Sequence, residues 1–223
     1  MIISQLLSST PGIRHGFGTA QELVPLALQP DWNRRPEKVQ VHGSTVVEIT
    51  THRQACGDID GLYSAHPGIP ISIITADCVP ILLARRDGKM VAALHAGWRG
   101  LIGGLIESLW RDLYAQNERP ANWFAVVGPA VGACCYEVTE ELAARFVGHY
   151  ATLPAKLVNP TPRMLNLPGI AEEVLRRMGI AEVEQLNICT RCALHASGDY
   201  VFRSYRRGDR GAQQHSGLII GGT

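Results

Sequence analysis

The sequence predicts an α/β fold of the α+β kind: mixed β-sheet layers with flanking helices, in one domain over residues 1–223. Three observations carry this. Short β-branched or apolar runs recur through the first half of the chain at strand length. The apolar spacing then changes to a helical period from Leu101. The order of elements is irregular, without the strict strand–helix–strand alternation of a wholly parallel sheet. A chain of 223 residues, 46% hydrophobic and 18% charged, is enough for one good-sized core.

The elements follow in order. Gln29 to Pro36 is polar, with two prolines and two arginines, and reads as a loop. Val39 to His42 and Val46 to Ile49 read as short strands joined by Gly43-Ser44-Thr45. Ile71 to Thr75 is β-branched and apolar, a buried strand. Val79 to Ala84 and Met90 to Leu94 flank Arg86-Asp87-Gly88-Lys89, where Asp-Gly between apolar runs signals a hairpin. Pro80 has no N–H to give a ladder, which places it on an edge or a bulge. Ile102, Leu105, Ile106, Leu109, Trp110 and Leu113 share one face of a helix whose first turn holds Gly103 and Gly104. Trp123 to Val127 is a further strand. Glu140 to Val147 and Ile170 to Met178 are helices, the second capped by Gly179. Glu184 to Ile188 and Tyr200 to Phe202 read as late strands.

A formal charge of +1 gives no electrostatic reason to expect nucleic acid or a membrane surface as partner. No apolar stretch reaches bilayer length. Met1-Ile2-Ile3-Ser4 lacks the basic and apolar regions of a signal peptide. The expected location is therefore cytoplasmic, and the six cysteines are expected to be mostly thiols. The oligomeric state is open, and a monomer is plausible.

Three short segments carry the chemistry: Gln40-Val41-His42-Gly43, Thr75-Ala76-Asp77-Cys78 and His95-Ala96-Gly97-Trp98-Arg99-Gly100. Strand ends can bring distant side chains together. Two imidazoles and a thiolate suit zinc, and three protein ligands leave the open position of a catalytic site. Spacing alone does not separate this from buried structural histidines and a core cysteine. The last segment could also bind an anion through backbone N–H groups at a helix start, with Arg99 adding a bidentate contact to phosphate. A tight packing turn with a solvated Arg99 fits the same spacing.

Gly128 to Glu137 is a second glycine-rich turn after a strand. Tyr136 could stack on a ring and Glu137 could move protons, or the segment is a structural loop, as Cys134 suggests. Cys189-Thr190-Arg191-Cys192 has the spacing of a redox dithiol without a thioredoxin-like setting. In Arg203 to Arg207, Arg206 and Arg207 could add phosphate contacts or form a solvated basic face.

At these residues the chain resembles the YfiH/YlmD family, also called the multicopper polyphenol oxidase or laccase-domain family, which includes bacterial peptidoglycan editing factors. The matching segments are His15-Gly16-Phe17, Gln40 to Gly43, Thr75 to Cys78, His95 to Gly100, Gly128-Pro129 through Cys135-Tyr136-Glu137-Val138, and Ser204 to Arg207. They stand in the family's order and span nearly the whole chain. The resemblance implies a fold similar to that of a toxin deamidase, with zinc held by His42, Cys78 and His95. It implies phosphorolysis of adenosine, inosine, guanosine and methylthioadenosine, deamination of adenosine, and a link to removing wrongly built peptidoglycan precursors. Purine nucleosides and phosphate are the expected partners. Copper is less expected, because multicopper oxidases use His-x-His pairs and none occurs among the eight histidines here. Rival readings are a cysteine hydrolase or amidase using Cys78 and His95, a copper polyphenol oxidase, and a non-catalytic metabolite-binding module. Three positions depart from the family pattern: Ala20 where an arginine is usual, Asn166 for an aspartate, and Ala212 for an arginine. These are expected to thin anion contacts and to alter efficiency more than the metal site.

Overall fold

The computed structural model describes residues 2–221. Its strands are β1 (Ile13–Phe17), β2 (Glu37–Val39), β3 (Val46–Glu48), β4 (Ala55–Asp58), β5 (Gly61–Ser64), β6 (Ile71–Thr75), β7 (Val79–Arg85), β8 (Val91–Ala96), β9 (Trp123–Val127), β10 (Glu182–Gln185) and β11 (Gln214–Ile220). The helices are α1 (Gln5–Ser8), α2 (Trp98–Ile102), α3 (Leu105–Ala115), α4 (Glu140–His149), α5 (Ala155–Val158) and α6 (Leu167–Arg177). A six-stranded mixed sheet runs β10-β9-β7-β8-β5-β3, a three-stranded antiparallel sheet runs β1-β11-β6, and β2 pairs with β4.

The central strands explain the layering. Along β7, Val79, Ile81 and Leu83 face a core shared with α3, α4 and α6, while Leu82 and Ala84 face a second core shared with the three-stranded sheet. β8 alternates in the same way, with Ala92, Leu94 and Ala96 on one side and Val91 and Ala93 on the other. Period-2 alternation between two buried faces is why these strands read as unbroken apolar runs. The order is thus small sheet, large sheet, helices, which is the mixed α/β layering expected from the sequence. Among the described residues, no helix is long and apolar enough to cross a membrane.

Several local expectations are corrected. The strand expected at Val39 to His42 ends at Val39, and His42 sits in a loop with a left-handed φ of 62°. β8 extends through Ala96, so His95 lies inside a strand rather than after one. Pro80 is in a central strand, not at an edge or bulge. Its carbonyl accepts from Gly128 N at 2.8 Å, just past the end of β9. The missing N–H would face the same side, toward the Gly128 carbonyl past the end of β9, so only a bond at the very end of the ladder is forgone. The helix expected at Leu101 is two helices, because Gly104 adopts φ 75° and breaks the ladder after Ile102. Leu105, Ile106, Leu109, Trp110 and Leu113 still form its buried face. Tyr200 to Phe202 is no strand; Tyr200 makes only an isolated bridge to Leu194. The late strand is instead β11, whose residues His215 to Gly217 interrupt the apolar pattern. Gln29–Arg34 is a 3₁₀ helix rather than an open loop.

Candidate metal centre and substrate cavity

The register of two antiparallel strands builds the centre. Val79 of β7 lies opposite Ala96 of β8, so Cys78, just before β7, faces the chain as it leaves β8. His95 points from β8 into the same space. His42 arrives from the loop after β2, held by two devices. Gln40 mimics a strand partner: its amide donates to the Ile74 carbonyl at 2.8 Å and accepts from Ile74 N at 2.6 Å. The buried Asp60 carboxylate accepts from the N–H groups of His42 (3.0 Å) and Gly43 (2.6 Å). The ligand atoms of His42, Cys78 and His95 all lie within 4.8 Å of one another, and the two imidazole centroids are 4.7 Å apart. The sequence segments expected to converge do converge.

Asp60 is the residue that sequence reasoning missed. It precedes β5, and the pairing of Gly61 with Leu94 brings it beside His95. His95 Nδ1 lies 2.7 Å from Asp60 Oδ1. A carboxylate there fixes the proton on Nδ1 and leaves Nε2 for the centre, as in metal-ligating histidines generally. Burial pushes the Asp60 carboxyl up, but the hydrogen bonds from His95, Gly43 and His42 outweigh it and hold the group below its ordinary value. The only sequence signal was a carboxylate entering an apolar run at Ile59 to Tyr63.

The donor chemistry fits a borderline-soft divalent ion. Burial, then the His95 imidazole beside it, lowers His42 below the ordinary histidine value, so its ring is neutral at physiological pH. Burial, aided by Asp77 and Asp60, pushes the Cys78 thiol up to about 12. Without a cation, Cys78 is protonated at neutral pH and a poor nucleophile; a metal replaces the proton.

Gly97 sits against both Cys78 and His42. A Cβ at this position would lie 3.0 Å from Cys78 Sγ and 3.2 Å from His42 Cδ2. Overpacking of this kind costs about 1–3 kcal/mol. Gly97→Ala is therefore expected to raise the metal dissociation constant roughly ten- to hundredfold. Competition against a chromophoric chelator measures this, and an unchanged constant would mean the three ligands do not share one ion.

A cavity of about 550 Å³ opens over His42, Cys78 and His95. Ile74, Val131 and Leu167 give it apolar walls, Trp98, Tyr136 and Tyr205 aromatic ones, and Arg99 and Arg206 cationic ones. Arg99 is exposed and its guanidinium lies 4.6 Å from the Trp98 ring centroid. It sits in the first turn of α2, a five-residue helix too short to act as an anion site through its dipole. Arg206 stacks 4.6 Å from the Tyr136 ring centroid and donates to the Glu137 carbonyl at 2.6 Å.

Two expected residues stand elsewhere. The Glu137 carboxylate is off the cavity wall and pairs with Arg163 at 2.8 Å. Arg207 is committed to structure: it pairs with Asp209, donates to the carbonyls of Thr190, Arg191 and Phe202, and stacks on Tyr200.

Asp77, with φ 95°, ties the loops around the cavity. Its carboxylate accepts from Thr190 Oγ1 (2.7 Å), Ser204 Oγ (3.1 Å) and Arg206 N (2.7 Å). The three departures also find places. The Asn166 side chain caps α6 by accepting from Gly169 N at 3.2 Å, which an aspartate would also do. Ala20 donates its N–H to the Val201 carbonyl. Ala212 is exposed, and nearby Arg210 stacks 4.1 Å from the Tyr205 ring centroid at the cavity rim.

Known proteins are similar to this chain in sequence and architecture. The family model described as multi-copper polyphenol oxidoreductase laccase matches residues 27–221. The chain is 37% identical over 215 residues to "Purine nucleoside phosphorylase PA4543" of Pseudomonas aeruginosa, covering 92% of this chain and 85% of that one. It is 34% identical over 169 residues to "Purine nucleoside phosphorylase YfiH" of Escherichia coli K12, covering 75% of this chain and 66% of that one. The crystal structure of YlmD from Geobacillus stearothermophilus superposes with a TM-score of 0.80 at 23% identity, over 96% of this chain and 94% of that one, which establishes a common fold. With five of the six motif segments contributing to one cavity and the match running over most of its length, the chain belongs to the laccase-domain family of YfiH and YlmD.

Proposed function

We propose that this protein is a zinc-dependent purine nucleoside phosphorylase that also deaminates adenosine. The observation that carries the reading is the convergence of His42, Cys78 and His95 at a cavity with aromatic and apolar walls and two arginines, Arg99 and Arg206. The names of the relatives point to the same reaction. The donor set and the missing His-x-His pairs favour zinc over copper. The pushed-up Cys78 thiol favours a metal ligand over a hydrolase nucleophile.

In phosphorolysis, a phosphate oxygen bonds to ribose C1′ as the C1′–N9 bond breaks. The bonding pair goes to the purine, which is protonated and leaves, and ribose 1-phosphate remains. A zinc ion held by the three ligands would supply a Lewis acid and lower the pKa of water. The chain's own residues do the rest. Ile74, Val131 and Leu167 exclude water, and Tyr205 or Trp98 offers a face for the purine. Arg99 and Arg206 neutralise phosphate and hold it in line with C1′. Arg206 is already fixed over Tyr136, so its charge is in position before substrate arrives.

Arg99→Ala tests the anion role. A charge-assisted contact is worth about 1.5–3 kcal/mol. The expected result is a roughly ten- to hundredfold rise in the phosphate KM for inosine cleavage, with adenosine deamination less affected. Equal losses in both reactions would assign Arg99 to the nucleoside instead. The function itself is tested by chromatography of products from adenosine, inosine, guanosine and methylthioadenosine, with and without phosphate. Free base should form only with phosphate, and inosine should form from adenosine in either case. Absence of turnover with all four would overturn the reading in favour of a binding module.

A further inference from the structure

Four of the six cysteines form a second cluster outside the cavity. β9 and β10 are parallel neighbours, so the loops that follow them leave the sheet side by side. The first loop carries Cys134 and Cys135 and the second Cys189 and Cys192. Backbone bonds zip them together: Ala130 N donates to the Ile188 carbonyl at 3.2 Å and Thr190 N to the Ala130 carbonyl at 3.0 Å. The four sulfurs all lie within 4.8 Å of one another. Cys134 and Cys192 sulfurs are 3.8 Å apart.

That spacing discriminates between chemistries. A disulfide needs a sulfur separation of about 2.05 Å and joins sulfurs in pairs. Four thiolates about 2.3 Å from a tetrahedral zinc stand about 3.8 Å from each other. Here four sulfurs from two loops converge on one point, and Gly132 N donates to Cys189 Sγ at 3.3 Å, the kind of bond that supports a metal-bound thiolate. We propose that Cys134, Cys135, Cys189 and Cys192 form a closed tetrathiolate site for zinc, separate from the centre at His42, Cys78 and His95.

With four protein ligands the site has no open position, so its role is structural. It cross-links two loops that build the cavity. Val131 and Tyr136 on the first loop line the wall. Thr190 on the second holds Asp77, the neighbour of Cys78, through a 2.7 Å hydrogen bond. Arg191 lies between two of the ligands, and Arg207 donates to the Arg191 carbonyl at 3.0 Å. Arg207 thereby ties the second loop to the Ser204 to Arg207 segment.

The test counts metal in full-length protein purified anaerobically. The wild type should hold two zinc ions per chain by elemental mass spectrometry. His42→Ala should hold one, and the double variant Cys134→Ser, Cys192→Ser should also hold one. The cobalt(II)-substituted double variant should lose the intense tetrathiolate bands that wild type and His42→Ala both show. If the double variant does not fold, wild-type stoichiometry and the cobalt spectrum of His42→Ala decide the matter alone. One zinc per chain that disappears in His42→Ala, together with four freely alkylated thiols or an intact mass lowered by disulfide formation, would overturn the proposal. One zinc per chain that survives His42→Ala but not the double variant would uphold this site and defeat the other.

Discussion

Cys78→Ala is expected to abolish metal at the cavity centre and nucleoside turnover together. The variant keeps two imidazoles, one exposed and one buried, and two protein ligands do not hold an open zinc tightly. The fold should survive. The Cys78 side chain is only partly buried, and removing a single sulfur leaves at most a small void. The expected phosphorolysis rate is lower by on the order of a thousandfold or more, given that removal of a single electrostatic stabiliser already costs about 10²–10³. Circular dichroism should stay native while metal content at this centre falls to zero. A Cys78→Ala protein with full turnover would show that the thiolate is neither ligand nor nucleophile.

The second large effect belongs to Asp60. Its side chain is completely buried and accepts from four N–H groups: His95 Nδ1 and the backbone of Val41, His42 and Gly43. Asparagine has nearly the same shape but replaces one accepting oxygen with an NH₂ that faces donors. A buried donor left unsatisfied costs about 1–3 kcal/mol, and more when a charge is lost. Loss of the carboxylate behind a metal-ligating histidine typically weakens metal binding about 10–100-fold. Asp60→Asn should therefore lower the melting temperature and raise the metal dissociation constant by that factor, because one residue orients both His42 and His95. A wild-type dissociation constant in this variant would mean that the two histidines are positioned by other contacts.

How much of this was legible in the sequence depends on the range of the forces involved. β6 and β9 matched residue for residue, because each is a buried apolar run between polar breaks, and burial is written directly in composition. The hairpin at Asp87-Gly88 was equally plain, since its turn chemistry is local. β1 and β11 were missed because each holds a histidine and a glycine where the pattern expects apolar residues; His15 accepts from Ser4 N at 2.9 Å inside the fold. The helix break at Gly104 was hidden because the apolar spacing continues across it. Among the site residues, the three segments that bring His42, Cys78 and His95 together were legible as short motifs beside apolar runs. Asp60, Gln40 as an Ile74 partner and Asp77 as a hub were not, because their roles lie in contacts across tens of residues. Glu137 and Arg207 were credible from their neighbours in sequence, yet Arg163 and Asp209 occupy their charges. The four-cysteine cluster was split in the sequence into two unrelated pairs, and only the parallel pairing of β9 with β10 joins them.

The reaction proposed for the cavity over His42, Cys78 and His95 is cleavage of purine nucleosides with phosphate as the nucleophile. Phosphorus NMR of zinc-loaded protein with inosine and inorganic phosphate tests it directly. A ribose 1-phosphate resonance should grow one for one with released hypoxanthine. Hypoxanthine released with free ribose while the phosphate signal stays constant would contradict it, as would an unchanged spectrum from folded, metal-loaded protein.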